Sequence, residues 1–493
     1  MARLTVDPRT PVIVGAAQLT PTEGAPAGPI ALAVQALRLA ADDSGAGDRL
    51  LRRADAVGHV ATICWPYSDE AALIASELGI EPRGTVRTAQ FGGDGPGLLV
   101  GEIARAIADA ELDVALVSGA EAIATLRAAQ KAGTTPGWPT QDSAAAPSKV
   151  LGTARPGSSD AEMSVGLAAP VYVYALLETA VRGRAEVDPA RHQRAIAELW
   201  SRFSEVAADN PHAVIRTPLG TDELLAQGAD NRPVSAPYTK LLTANAGVDQ
   251  ATGLIICSAQ AATDAGVASE RWVFVRSAAR AQDEWFVSER AELASSPAIR
   301  AAGRAALEHA GLTIDDVKYI DLYSCFPSAV EIAADALGLS VADGRPLTVT
   351  GGLTFAGGPG NNYSSHAIAT LVERLRADPD AAGLSTALGW YATKHAAVLM
   401  SGRPGDRAYE ALTPQVCNRP ARLGAADYSG PATVEAYTVP YARDGTPEAV
   451  IVSALAADGT RALARGTDRD LVESMLAGDP LGREVTISAG ALG

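Results

Sequence analysis

Cys64-Trp65-Pro66 precedes an Ala-rich stretch ending in Leu78-Gly79-Ile80, and Cys325-Phe326-Pro327 precedes one ending in Leu337-Gly338-Leu339. The two segments read as copies of one pattern. Each leads to a Gly/Pro turn at nearly the same offset: Gly95-Pro96-Gly97 begins 31 residues after Cys64, and Gly358-Pro359-Gly360 begins 33 residues after Cys325. Landmarks repeated in the same order and spacing imply a duplicated unit. Within the units, apolar runs of strand length alternate with amphipathic helical stretches, as in residues 12–17 followed by 30–41, or 98–110 followed by 114–118. That rhythm is α/β.

Between the copies the character changes. Residues 125–240 open with a Gly/Pro/Ser-rich stretch over 133–159, continue through helical pattern over 171–182 and 189–209, and close in polar loop. This reads as an inserted loop or substrate domain. A second change follows Tyr428-Ser429-Gly430-Pro431, which reads as a linker. Beyond it, residues 433–441 alternate, 449–455 and 461–465 have strand character, 468–476 reads as a helix and 484–488 as a last strand. The tail is therefore a small β-rich domain. The division that follows is 1–124 with 241–268 for the first half, 125–240 for the insertion, 269–424 for the second half and 425–493 for the appendage.

At 493 residues, with 47% hydrophobic and 20% charged side chains, the chain can bury several cores. Its 57 acidic against 41 basic residues leave a formal charge of −16, which argues against non-specific binding to nucleic acid or an anionic membrane. No run approaches the roughly 20 apolar residues needed to span a bilayer, and the N-terminus lacks a basic-then-apolar signal pattern. Cys64, Cys257, Cys325 and Cys417 lie far apart without paired metal spacing, so neither a disulfide framework nor a metal site is expected. A reducing cytoplasm fits best.

These landmarks resemble the thiolase superfamily over residues 9–405. Pro11-Val12-Ile13-Val14-Gly15-Ala16-Ala17 is similar to the family's opening strand, and Val117-Ser118-Gly119-Ala120-Glu121 to its Gly-Gly-x-Glu strand end. Thr243-Ala244-Asn245-Ala246-Gly247-Val248-Asp249-Gln250-Ala251 is similar to the segment that closes the first half. The appended tail resembles that of type-1 thiolase-like proteins. The resemblance implies an α/β protein on a duplicated thiolase fold, two similar αβαβα half-domains, with an inserted loop domain and a small C-terminal β-rich domain.

Against the family pattern the catalytic loops are altered together. A thiolase uses a nucleophilic cysteine at a helix N-terminus, where backbone N–H groups favour the thiolate. The matching turn here reads Phe91-Gly92-Gly93-Asp94-Gly95-Pro96-Gly97, with Asp94 nearest that position. The Gly-His-Pro motif reads Gly357-Gly358-Pro359, without its histidine. The loop whose Asn or His positions the oxyanion water reads Tyr323-Ser324-Cys325-Phe326, and the last family cysteine falls at about Gly389 in Gly389-Trp390-Tyr391-Ala392-Thr393-Lys394-His395. Losing nucleophile and base together removes covalent acyl transfer, although backbone donors can still bind a thioester.

The residues left on these loops are the candidate site. Asp94 either takes part in the chemistry or caps its helix, and capping is the simpler reading. Tyr323 and Tyr391 can exchange protons if their phenols are activated. Cys325 is a replacement nucleophile or a small buried residue. His395 is the histidine best placed to act, ahead of His366. Asn245, Gly358 and Asn361 are the expected contacts to CoA.

The implied activity is that of an acetyl-CoA acetyltransferase-like protein that binds CoA or acyl-CoA, requires no cofactor and lacks ordinary thiolase chemistry. Two rivals stand beside it: a non-covalent retro-aldol acyl-CoA lyase using a tyrosine, and a non-catalytic acyl-CoA binding protein. A monomer or weak dimer is expected.

Overall fold

Val12, Ile13 and Val14 are fully buried, because strand Pro11–Leu19 has antiparallel neighbours on both sides. Asp249–Ser258 runs along its length, and Val273–Gln282 touches it at Val12 and Ile13. The computed structural model describes residues 6–21, 27–417, 420–422, 424–425 and 427–493. Around that central contact the sheet repeats one pairing scheme. In the first half, Pro11–Leu19 pairs antiparallel with Asp249–Ser258, that strand antiparallel with Val114–Ala122, and that in turn parallel with Ala56–Val60. In the second, Val273–Gln282 pairs antiparallel with Lys394–Ser401, then comes Ala382–Gly389 antiparallel, then Val317–Asp321 parallel. The duplication read from the sequence is a duplication of topology.

The repeated Cys-aromatic-Pro segments lead to equivalent helices, Glu70–Leu78 and Pro327–Leu337, each ended by a left-handed glycine, Gly79 and Gly338. Helices Gly95–Ala108 and Tyr363–Ala377 are buried between the halves and start at the two Gly/Pro turns. The first approaches the second half's sheet so closely that a Cβ on Gly97 would meet the Ala396 methyl at 2.7 Å, and one on Gly101 the Ala278 methyl at 2.9 Å. Glycine at these positions sets the spacing of the halves.

Two parts of the insertion complete the architecture. Lys149–Leu151 pairs parallel with Gly84–Thr88, so a short strand occurs within the stretch expected to be loop, and it covers a sheet edge that is otherwise open to pairing. Helices Pro170–Ala185 and Pro189–Asp209 lie against the second half. Strand Pro233–Ala236 pairs with the end of Ser429–Pro440 in the appendage.

The appendage is a mixed β domain with strands Ser429–Pro440, Val450–Leu455, Arg461–Gly466 and Glu484–Ser488, and helix Arg469–Ala477 capped by Asp468. The linker expected at Tyr428–Pro431 is corrected: Ser429, Gly430 and Pro431 already pair with Ser488, Ile487 and Thr486. Gly and Pro at the start of a strand are compatible with pairing there. Residues 423 and 426, flanking the expected junction at 424 and 425, lie outside the described residues. No helix among the described residues is long and apolar enough to cross a membrane.

Arg461 holds the appendage to the body. Its side chain is fully buried, with Nε 2.5 Å from Glu435 Oε1 within the domain, while Nη1 donates to the carbonyls of Ser288 and Arg290 in the second half. Arg182 of the inserted helix adds a bond of 2.6 Å to Asp479. Arg461→Met, which strands Glu435, is expected to cost roughly 3–5 kcal/mol of stability, read as a lowered denaturant midpoint. Adding Glu435→Leu should recover much of it. A chain ending at Arg422 uncovers the inserted helix and is expected to self-associate in light scattering, unlike the full-length protein.

Candidate functional site

The turn before helix Gly95–Ala108 delivers Asp94 to a buried position, 3% exposed. Asp94 has helical φ, ψ of −71°, −17° and makes no side-chain capping bond. This corrects the capping expectation, since a capping residue holds an extended backbone that turns its oxygen back to the N2 and N3 amides. The carboxylate instead meets Lys394, whose Nζ lies 3.1 Å from Oδ1 and donates to the Phe91 carbonyl at 2.9 Å. The ion-pair angle falls short of a hydrogen bond, and Oδ1 has no other partner among the described residues. A buried ion pair therefore stands where the resemblance places a nucleophile.

Lys394 was missed in the sequence. It opens strand Lys394–Ser401, and successive side chains of a strand leave on opposite faces, so Lys394 faces Asp94 and His395 faces away. His395 Nε2 lies 3.1 Å from Asp283 Oδ2, and that carboxylate also accepts from Ala298 N at 2.9 Å and from Ser296. The structure thus separates His395 from Asp94. A lone lysine in the apolar run Lys394-His395-Ala396-Ala397-Val398-Leu399-Met400 was the available signal.

Tyr323 does reach the turn. Its phenol packs on Gly93, where a Cβ would sit 2.2 Å from the oxygen, and its ring meets Tyr363 edge-on with centroids 5.5 Å apart. Burial, reinforced by Cys325 and Asp94, pushes the phenol well above its ordinary pKa. The raised pKa favours the protonated phenol.

The loop after Gly389 is held in a conformation its residues disfavour. Trp390 and Ala392 have φ of 57° and 54°, left-handed values costing on the order of 1–3 kcal/mol each for non-glycine residues. One phenol compensates both: Tyr174 donates to Trp390 O and accepts from Ala392 N, each at 2.9 Å. Between them Tyr391 points to the insertion and donates to Ala168 O, so it too lies away from Asp94. The indole of Trp390 rests on Phe91 at 5.6 Å and packs against Gly157 of the insertion. Cys325 is buried, and desolvation pushes its thiol up to about 12. That shift disfavours the thiolate.

Asn361 ties the two halves together at this turn. Its amide donates to Ala61 O and Gln90 O, and its oxygen accepts from Gly92 N, all at 2.9 Å. Gly358 N donates to Asn245 O at 2.9 Å, which brings these two expected contacts together. Glu121 supports the rim from below, accepting from Ile63 N at 2.6 Å and Cys64 N at 3.0 Å. Burial pushes its carboxyl up to about 7. The rim itself is apolar and open, with Phe91 46% and Ile63 36% exposed. A cavity of about 580 Å³ lies elsewhere, against Asp283, Arg290, Ser296 and Arg300 on the His395 side of the strand.

Residues 411–490 match the family described as thiolase-like protein type 1 additional C-terminal domain. A monomeric SCP2-thiolase-like protein type 1 from Mycobacterium smegmatis superposes with a TM-score of 0.83 at 33% identity, covering 99% of this chain and 100% of its own. The chain belongs to the thiolase-like protein type 1 family. Two more distant structures share the fold of this thiolase-like protein. An Ltp2–ChsH2 (DUF35) aldolase matches with a TM-score of 0.62 at 19% identity, over 81% of this chain and 99% of its own. Human mitochondrial 3-ketoacyl-CoA thiolase matches with 0.56 at 16%, over 80% and 99%. No curated protein sequence matches.

Two outcomes are expected. Lys394→Met leaves Asp94 charged and buried and should lower stability by roughly 3–5 kcal/mol, with Asp94→Leu on top restoring part of it, as measured by chemical denaturation. Glu121 binds its proton more tightly folded than unfolded, so its contribution is full below about 4.5 and is lost as pH rises through about 7. The stability difference between wild type and Glu121→Gln, measured by denaturant unfolding at each pH, should change by roughly 3 kcal/mol across that window.

Proposed function

We propose that this thiolase-like protein binds CoA or an acyl-CoA at the rim beside the Asp94 turn without forming an acyl-enzyme. The observation that carries this reading is the Asp94–Lys394 pair, 3.1 Å apart at the nucleophile position. A carboxylate held by an ammonium is a poor nucleophile towards a thioester, and burial of Cys325 works against its thiolate. The exposed Phe91 and Ile63 offer apolar surface for an acyl chain at the rim. The reading takes the protein to act as a monomer in the cytoplasm, where its four free cysteines stay reduced.

A second reading, a non-covalent retro-aldol acyl-CoA lyase, is favoured by Tyr323. Its protonated phenol lies at Gly93 beside Asp94, where it can hydrogen-bond to oxygen as charge develops on a thioester enolate. Binding alone, without turnover, is the third.

Calorimetry with CoA and short acyl-CoA thioesters is expected to show binding, and intact-mass spectrometry after acetoacetyl-CoA is expected to show an unmodified chain. An adduct on Cys325 overturns the non-covalent reading, and absence of heat with every thioester overturns binding. Product analysis with 3-hydroxyacyl-CoA separates lyase from binder, and Tyr323→Phe should abolish any cleavage while leaving binding intact.

A further inference from the structure

Behind the Gly357–Gly360 turn, where both halves meet the insertion, lies a cavity of about 10 Å³ lined by Gln18, Asn210, Gln250, Gly357, Tyr363 and His366 among others. Two polar atoms in its lining are buried and without a partner among the described residues: His366 Nε2 and Gln250 Oε1. Their side chains belong to residues 4% and 2% exposed. What each atom offers follows from the bonds its other end makes.

His366 Nδ1 lies 2.9 Å from Gln18 Oε1. The orientation of that Gln18 amide is set by Thr370. The Thr370 hydroxyl spends its proton on the His366 carbonyl, so its oxygen accepts from Gln18 Nε2 at 3.0 Å. Gln18 therefore presents its carbonyl to the imidazole, and Nδ1 carries the ring proton. Burial lowers the His366 pKa to about 3, so the ring is neutral and Nε2 is a bare acceptor. Gln250 is fixed in the same way. Its Nε2 donates to Ala356 O at 2.8 Å and to Thr20 Oγ1 and His212 O at 3.2 and 3.3 Å. Reversing the amide would set its oxygen against two carbonyls, so Oε1 is also a bare acceptor.

Two acceptors facing one small cavity call for a neutral molecule with two donors, and the space matches about one water-sized probe. We infer that this cavity is a binding site for a single water molecule, which donates one O–H to His366 Nε2 and the other to Gln250 Oε1. Neither acceptor has a protein donor among the described residues. The water joins the helix Tyr363–Ala377 of the second half to strand Asp249–Ser258 of the first. It does so directly behind the turn that carries Gly358. Gly357 leaves room for this arrangement, because a Cβ there would lie 2.4 Å from Gln250 Oε1.

The test is a crystal structure of the full chain at a resolution where ordered waters refine, paired with oxygen-17 relaxation dispersion in solution, which counts long-lived waters. Density within hydrogen-bond distance of both atoms is expected, with one fewer long-lived water in His366→Leu than in wild type. Density bonded to only one of the two atoms, no density where neighbouring waters are ordered, or an unchanged count in a folded His366→Leu overturns the inference. The wild-type density decides alone if the variant does not fold.

Discussion

A helix packed against strands of both halves must bury most of its surface, and the Gly95–Ala108 helix does so with Leu99, Val100, Ile103, Ala104 and Ile107, leaving a half-exposed stripe at Leu98, Glu102 and Arg105. It approaches the second half through Gly97 and Gly101, so the separation of the halves is set by backbone and not by side chains. Everything at the candidate site inherits this geometry. The helix N-terminus is carried into the interface, and whatever residue precedes it is buried between the halves. In this chain that residue is Asp94.

A buried carboxylate requires a counter-charge, and Lys394 supplies it from the opposite half. The pair balances charge at this turn, and the neighbouring loop is held in place beside it. Trp390 and Ala392 adopt left-handed backbone without being glycine, which holds because Tyr174, from the insertion, satisfies the peptide groups on both sides. The insertion is thus part of the site's architecture and not only a cover. The appendage is tied in more remotely, through Arg461 to the carbonyls of Ser288 and Arg290, and Arg290 in turn donates to Tyr391 O at 2.8 Å.

Local pattern made much of this legible in the sequence. Alternating apolar runs, proline at helix starts and glycine at helix ends act through neighbouring residues, so strand 484–488 and helix 189–209 were readable with their ends. The repeat of Cys-aromatic-Pro and Gly-Pro-Gly carried the duplication, since copies of a sequence keep copies of a topology. The strand that starts at Ser429 was misread as linker because Gly and Pro mark turns by composition, while pairing with Thr486, Ile487 and Ser488 depends on a partner some distance along the chain.

The sequence by itself determined the α/β class, the duplication and the identity of Asp94 at the turn before the Gly95–Ala108 helix, because each rests on residue identity or on spacing within one segment. Only the tertiary structure decided what Asp94 meets. Lys394 and Asp94 come from different halves, and whether Lys394 or its neighbour His395 meets Asp94 depends on which face of one strand the sheet turns towards that turn. The same holds for Cys325, Tyr391 and Tyr323, which sit on neighbouring loops and differ in which of them reaches Gly93. Burial and charge pairing between segments far apart in the chain are properties of the packed whole, and no local pattern of residues encodes them.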